Sequence, residues 1–358
     1  MSGGRVERVR ELLAEPGLDA LIVSSPANLR YVSGFTGTSG VAIVLAEGQS
    51  RFLTDFRYKE QARLEVAADF DREIIAGEPF DALATALPAG RLGFDDATMS
   101  VAQRARLGAD AGPGVELVAA GGLIERLRAV KDAEESERIS AAAALVDGVY
   151  EWLCERGFAG RKERDVAVEL EHEMRLRGAS RPSFDSIVAS GPHAALPHAQ
   201  PRDVAIARGT LVIVDIGAIV DGYCSDCTRT FAVGEPTSQA REIYALVLSA
   251  QVAGLKALAP GLSGVAVDAK AREVIVEAGY GEYFGHGLGH GVGLEIHEAP
   301  RLARHAPDDP LRAGNVVTVE PGVYLPGELG VRIEDLTVLT PDGCRRLSQF
   351  PKELLVVD

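Results

Sequence analysis

Cysteine is scarce in this chain of 358 residues, and Cys154, Cys224, Cys227 and Cys344 are too few to staple a fold of this size. A disulfide scaffold is excluded, and a reducing compartment is expected. Long apolar runs are missing as well. Nothing approaches the roughly 18 uninterrupted apolar residues of a membrane span, and the start Met-Ser-Gly-Gly-Arg-Val-Glu-Arg-Val-Arg lacks the apolar core of a signal peptide. The expected location is cytoplasmic. Positive charge is in deficit: 37 Lys and Arg against 52 Asp and Glu leave a formal charge of -15, with no basic block to offset it. Nucleic acid and anionic membranes are polyanions, so neither is expected as a partner. The motifs of several chemistries are also absent: Gly-x-Ser-x-Gly, the phosphate-binding Gly-x-x-x-x-Gly-Lys-Ser/Thr loop and Gly-x-Gly-x-x-Gly.

What is present reads as an ordinary globular protein, 46% hydrophobic and 25% charged. At roughly 100 to 200 residues per domain its length predicts two domains. Residues 1–127 alternate short helical and strand patterns. Val6, Val9, Leu12 and Leu13 fit a helix face, Leu18 to Ser24 and Val41 to Leu45 read as buried strands, and Gly90 to Asp95 and Val101 to Ala111 continue an α/β organisation. Gly121-Gly122 punctuates the chain, and from Ile124 a charged, alanine-rich helical stretch runs to about Arg156. The boundary is placed there, with residues 128–358 as the second domain. That half predicts helices at Glu163 to Arg177, Ala240 to Leu258 and Val265 to Ala278. Its strands are predicted at Phe184 to Ala189, Thr210 to Ile216, Cys224 to Val233, Val316 to Val319 and Gly330 to Leu339. Helices grouped apart from hairpin-joined strands predict an α+β domain with a curved antiparallel sheet.

Imidazoles and carboxylates collect in this second half. Asp215 ends Leu-Val-Ile-Val-Asp, where a bare buried carboxylate costs several kcal/mol unless it is paired or bound to a cation. Asp226 follows eleven residues later, beyond an Asp221-Gly222 pair suited to a hairpin turn that would bring the two aspartates side by side. Glu320 after Val-Val-Thr-Val, and Glu334 in Val-Arg-Ile-Glu-Asp-Leu, interrupt strand-like sequence in the same way. His290 lies in Gly285-His286-Gly287-Leu288-Gly289-His290-Gly291-Val292-Gly293, and His297 follows it. Alternate glycines rule out a helix, at roughly 1 kcal/mol each, and suggest a backbone that lets a substrate come close. A His-Glu-x-x-His zinc motif is absent, because Arg301 stands four residues after His297. Four carboxylates with one imidazole suit Mn²⁺, Co²⁺, Fe²⁺ or Zn²⁺ better than Mg²⁺ or Ca²⁺, as one ion or as two with bridging carboxylates. His193 and His198 share a loop braced by three prolines, in which His193 reads as a solvated side chain. Cys224 and Cys227 form a Cys-x-x-Cys pair without a second pair, in a strand-like setting that reads as packing.

The ordered set Asp215, Asp226, His290, Glu320, Glu334 resembles that of the pita-bread metallopeptidases. The settings match too: Val-Asp-Ile-Gly, Ser-Asp-Cys-Thr-Arg-Thr-Phe, His-Gly-Leu-Gly-His-Gly-Val-Gly-Leu-Glu-Ile-His-Glu, Val-Glu-Pro-Gly-Val-Tyr and Val-Arg-Ile-Glu-Asp. Among them the chain looks most like Xaa-Pro aminopeptidase (aminopeptidase P) and Xaa-Pro dipeptidase (prolidase). Residues 25–31 (Ser-Pro-Ala-Asn-Leu-Arg-Tyr), 34–37 (Gly-Phe-Thr-Gly) and 54–58 (Thr-Asp-Phe-Arg-Tyr) are similar to a creatinase-type N-terminal α/β domain. The resemblance implies two divalent ions, Mn²⁺ foremost with Co²⁺, Zn²⁺ or Fe²⁺ as alternatives. Asp215 would chelate one, Asp226 and Glu334 would bridge both, and His290 with Glu320 would complete the second. It implies a metal-bridging hydroxide as nucleophile, substrate contacts from His198 and His297, proton transfer by Glu320, a proline pocket at His286 and substrate placement by Tyr324 and Arg332. Cys227 departs from the larger aliphatic residue common at that position. The activity expected first is an Xaa-Pro aminopeptidase acting on proline-containing peptides as a homodimer. A prolidase is the alternative, and a non-catalytic peptide-binding module the reading from a different class.

Overall fold

The computed structural model describes residues 4–358, so the first three residues of the segment read for a signal peptide lie outside the described residues. The chain divides into two compact units, Met1–Arg128 and Ala129–Asp358. In the first, helix Arg5–Ala14 buries Val6, Val9 and Leu13 at the helical spacing seen in the sequence. A six-stranded sheet is formed by β1 (Ala20–Val23), β2 (Val41–Leu45), β3 (Ser50–Asp55), β4 (Phe70–Ile75), β5 (Gly90–Phe94) and β6 (Val115–Ala119), in the order β4-β3-β2-β1-β5-β6. Central β1 runs antiparallel to β2 and parallel to β5, and all four of its residues are buried. That two-sided burial explains its continuous apolar run.

The second unit is α+β. Its long helices are Ala133–Arg156, Glu163–Leu176, Ser238–Ala257 and Gly264–Glu277. The helix expected to run unbroken from Ile124 is in fact two, Leu123–Arg128 and Ala133–Arg156. Asp132 caps the second, its carboxylate accepting from Glu135 N while Glu135 reaches back to Asp132 N. Val130 bridges to Asn315 in the gap. Local charge periodicity could not show that a cap outcompetes the helix here.

As expected, pairing between the named strands of this unit is antiparallel, and it is distributed over four small sheets. They are built from β7 (Arg181–Pro182), β8 (Ile187–Ser190), β9 (Thr210–Ile216), β10 (Ala218–Val220), β11 (Tyr223–Cys224), β12 (Cys227–Val233), β13 (Gly289–Gly291), β14 (Glu298–Leu302), β15 (Val316–Val319), β16 (Gly322–Leu325), β17 (Leu329–Arg332), β18 (Asp335–Thr340) and β19 (Gly343–Arg346). The orders are β11-β10-β7, β12-β9-β8, β14-β13-β15-β18-β19 and β16-β17. The stretch expected as one strand from Gly330 to Leu339 changes sheet at Ile333-Glu334: β17 pairs with β16 and β18 with β15. The stretch from Cys224 to Val233 does the same at Ser225-Asp226. Asp221-Gly222 makes the anticipated two-residue turn, both residues at positive φ (46° and 79°).

Helices Ser238–Ala257 and Gly264–Glu277 bury Val247, Ala250, Val267 and Ala271 against Val317, Val319, Val323 and Val331. Helices Ala133–Arg156 and Glu163–Leu176 bury Tyr150, Leu153 and Leu170 against Val212, Val214 and Phe231. The Tyr150 hydroxyl donates to the carbonyls of Val214 (2.9 Å) and Cys227 (2.7 Å), tying β9 to β12 beside Asp215 and Asp226. Behind them Arg229 donates to Asp335 (2.9 Å), to the carbonyls of Phe350 (2.7 Å) and Pro351 (2.9 Å), and to the Glu334 carbonyl. Lys352 reaches the same Asp335 at 2.7 Å, so a fully buried carboxylate fastens residues 350–352 beneath Glu334. Burial would raise the Asp335 pKa, but Arg229 and Lys352 overcome it and hold the group below its ordinary value.

Candidate metal centre

Alternation along the strands brings the carboxylates to one place. On β9, Val212, Val214 and Ile216 pack into the helix-covered core, which turns Asp215 to the opposite face. The register sets Thr228 opposite Asp215, and Asp226 precedes β12 by one residue on the same side. Gly217 lets the returning chain pass close, since a Cβ there would lie 2.1 Å from the Ser225 carbonyl oxygen. Glu334 sits at the sheet change, its N–H donating to the Thr228 carbonyl at 3.1 Å. Oxygens of Asp215, Asp226 and Glu334 lie within 4.8 Å of one another, all on buried residues.

His290 and Glu320 complete the cluster. A register shift at His290/Gly291 interrupts β13, and Glu320 follows the end of β15. His290 Nδ1 lies 3.1 Å from the Gly291 carbonyl, which can only accept, so Nδ1 carries the proton. Burial lowers the His290 pKa and keeps the ring neutral. Its lone-pair-bearing Nε2 then faces Asp226 Oδ2 at 3.5 Å and Glu320 Oε1 at 3.3 Å. Hydroxyls steer the carboxylates: Thr228 donates to Glu334 Oε2 at 2.8 Å and Thr318 to Glu320 Oε1 at 3.0 Å. Sequence reading passed over both threonines. Their signal was the period of two, Thr228 after Asp226 and Thr318 before Glu320.

These residues fit a cation. Asp215 Oδ1 and Glu334 Oε1 are buried with no hydrogen-bond partner, although oxygens at this depth are normally satisfied. Burial first, then neighbouring carboxylates, push Asp226 and Glu334 far above the usual carboxylate range. Burial likewise raises Glu320. Oxygen ligands with a single imidazole match a borderline divalent ion.

Around this cluster runs a chain of hydrogen bonds. Arg332 donates to Asp215 Oδ2 (2.7 Å), to Thr228 Oγ1 (3.0 Å) and to the Tyr324 hydroxyl (2.9 Å). Tyr324 stands 2.9 Å from His286 Nε2, and the His286 Nδ1 proton goes to the Gly287 carbonyl at 2.8 Å. Both His286 nitrogens are thus occupied, and burial lowers its pKa, leaving a neutral ring surface rather than a free donor. The His297 ring is exposed and lies edge-on to His290 with centroids 4.4 Å apart. Desolvation and then His290 lower its pKa, with a smaller contribution from His198, an exposed residue on the loop after β8.

Two sequence expectations need correction. His193 is not solvated: it packs at 3.2 Å against the fully buried Glu163. The glycines at 289 and 291 serve the protein's own backbone, because a Cβ would meet the carbonyl oxygens of Thr318 at 2.0 Å and Ala299 at 2.3 Å. Arg332 and Tyr324, expected from the resemblance to lie near the metals, are links in one network with Asp215. Cys224 and Cys227 are free thiols packed into different apolar clusters, and burial raises both pKa values, that of Cys224 to about 11. No helix among the described residues is long and apolar enough to cross a membrane.

Comparison with known proteins bears on this geometry. Residues 5–130 match the creatinase/prolidase N-terminal domain, and residues 137–341 match metallopeptidase family M24. The chain is 37% identical over 352 residues to an Xaa-Pro dipeptidase of Pyrococcus furiosus, spanning 98% of this chain and 99% of that protein. Its fold superposes on the solved Xaa-Pro dipeptidase of Bacillus anthracis with TM-score 0.95 and 40% identity, covering 100% of both chains. An X-Pro aminopeptidase structure from Thermotoga maritima gives TM-score 0.90 and 36% identity, covering 98% of this chain and 100% of that one. With that fold, that buried set of acceptors and these matches, the chain belongs to metallopeptidase family M24.

Proposed function

We propose that this metallopeptidase is an Xaa-Pro dipeptidase, with residues 128–358 as its catalytic domain and residues 1–127 as its creatinase-type N-terminal domain. The observation that carries the reading is the converging set of acceptors around two orphaned oxygens, Asp215 Oδ1 and Glu334 Oε1. Sequence alone put the aminopeptidase first. The Xaa-Pro dipeptidases among similar proteins move the weight to the alternative.

Asp215, Asp226, His290, Glu320 and Glu334 would hold two divalent ions, Mn²⁺ foremost. When bound, such ions polarise a scissile carbonyl and lower the pKa of an attacking water. The remaining work belongs to the chain. Arg332 neutralises one Asp215 oxygen and leaves the other free for a ligand. Glu320, whose affinity for a proton burial raises, suits transfer of a proton from water to the leaving imino nitrogen. His198 and His297, both exposed beside the cluster, would contact the substrate near the scissile bond. The neutral face of His286, held by Tyr324, would receive the proline ring. An Xaa-Pro bond has no N–H, so recognition must grip the ring by shape. A reducing cytoplasm, supported by four free thiols, and a homodimer complete the proposal.

The test is hydrolysis of an Xaa-Pro dipeptide and a matched Xaa-Pro-Yaa tripeptide by Mn²⁺-loaded protein beside Glu320→Ala. Dipeptide cleavage that the variant loses supports the reading. Cleavage of the tripeptide makes the enzyme an aminopeptidase, and no metal-dependent cleavage of either leaves a peptide-binding module. Light scattering measures the oligomeric state.

A further inference from the structure

Glu163 opens helix Glu163–Leu176 with its side chain fully buried, and the proposed chemistry makes no use of it. Its carboxylate accepts from Ser190 N (2.8 Å) and Oγ (2.7 Å), and from Arg202 N (3.1 Å), Nε (3.0 Å) and Nη2 (2.9 Å). His193 Nδ1 stands 3.2 Å away as a further donor. These contacts saturate the lone pairs that two oxygens offer. Burial would push the Glu163 pKa up, but the bonds from Arg202 and Ser190 outweigh it and hold the group at about 2, so it is charged at neutral pH.

The partners lie at the two ends of residues 191–201, the loop that carries His198. The middle of that loop has its own anchor: the Pro197 carbonyl accepts from Arg332 Nη1 at 3.2 Å. Nearby, the Ala194 carbonyl oxygen passes where a Cβ on Gly330 would lie only 1.9 Å from it. Arg332 is the side chain that also grips Asp215. The loop is thus closed at its base by one carboxylate and registered at its crest against the metal centre.

We propose that Glu163 is a positioning residue that sets His198 against the metal centre by fastening both ends of residues 191–201 through Ser190, His193 and Arg202. The inference rests on the substrate-contacting role assigned to His198 above. Residues 191–201 begin as a 3₁₀ turn, Gly191–Ala195, and continue as irregular chain with conformational freedom to lose, and charge-assisted bonds at the base remove that freedom before substrate arrives. Misplacement of a positioning group by about 1 Å costs on the order of a hundredfold in rate.

The test is a double-mutant cycle on Mn²⁺-loaded enzyme with Glu163→Gln, which keeps shape but turns an amide toward the donors. Expected is a loss of about tenfold or more in kcat/KM for the Xaa-Pro dipeptide, no further loss when the change is made in His198→Ala, and unchanged Mn²⁺ affinity by calorimetry. Arg202→Met, at a partly exposed position, gives the same pattern more weakly and serves if Glu163→Gln does not fold. A loss that adds in full to His198→Ala, or an equal loss of Mn²⁺ affinity, overturns the proposal and makes Glu163 a general brace. Hydrogen exchange decides independently of activity. Increased exchange confined to residues 191–201 in Glu163→Gln supports the proposal, and unchanged exchange there overturns it. A wild-type protein that cleaves no Xaa-Pro peptide would instead sink the functional reading.

Discussion

At the residue scale the site depends on hydroxyls that are not themselves ligands. Thr228 joins Arg332 to Glu334, and Thr318 joins the His290 backbone to Glu320, so each fixes the direction of a carboxylate, and in Glu334 the other oxygen is left without a partner. Partners of this kind typically contribute tenfold to a hundredfold in metal affinity. Thr228→Val and Thr318→Val are each expected to weaken Mn²⁺ binding by about that factor while the fold persists. Competition with a chelating dye measures it; wild-type affinity in both variants would show that the carboxylates orient themselves.

At the scale of elements, the metal centre occupies the places where strands end or change partners. Asp226 and Glu334 stand where the chain leaves one sheet for another, His290 at a register shift, and Glu320 just past a strand end. Those departures also mark what the sequence could and could not show. The Asp221-Gly222 turn, the strands Thr210–Ile216 and Val316–Val319 and the helix faces were legible, because local turn chemistry and burial periodicity decide them. The breaks inside 224–233 and 330–339 were not, since Val-Arg-Ile-Glu-Asp-Leu alternates acceptably as one strand and only pairing partners far along the chain divide it. Thr228, Thr318 and Glu163 were missed for a related reason: a polar residue at strand period or at a helix start has an ordinary local explanation. The glycines of 285–293 illustrate the same limit and give a test. A methyl group on Gly289 meets backbone at 2.0 Å, whereas at Gly285 nothing lies within 4 Å. Gly289→Ala should cost about 1–3 kcal/mol in urea unfolding of metal-free protein, and Gly285→Ala no more than about 0.5 kcal/mol. Equal effects would mean that the strand contact yields freely.

For the whole molecule, the cost of gathering carboxylates appears as a dependence of stability on pH. Asp226 and Glu334 have folded pKa values raised by burial and by neighbouring charge. Such groups favour the metal-free fold fully only below their unfolded pKa, about 4, and that contribution is lost as pH rises through the folded values. Bound cations remove the penalty, and deprotonated ligands bind them more tightly. The gap in Tm between Mn²⁺-loaded and chelated protein is therefore expected to widen steadily from pH 5 to pH 8. A constant gap in thermal scans across that range would mean that the carboxylates are relieved without metal.

The clamp of Arg229 and Asp335 on residues 350–352 has a consequence in time. Chains leave the ribosome N-terminus first, at roughly 5–20 residues per second, and N-terminal domains fold before the rest is made. All five acceptor residues have been polymerised by residue 334, yet the brace beneath Glu334 is assembled only when Phe350, Pro351 and Lys352 arrive. Cation capture should thus await the arrival of residues 350–352: a nascent chain arrested with residue 349 as its last exposed position is expected to release Mn²⁺, and the same chain a few residues longer to keep it. The site would then fill as a unit once its brace is in place, rather than piecemeal as each acceptor is made.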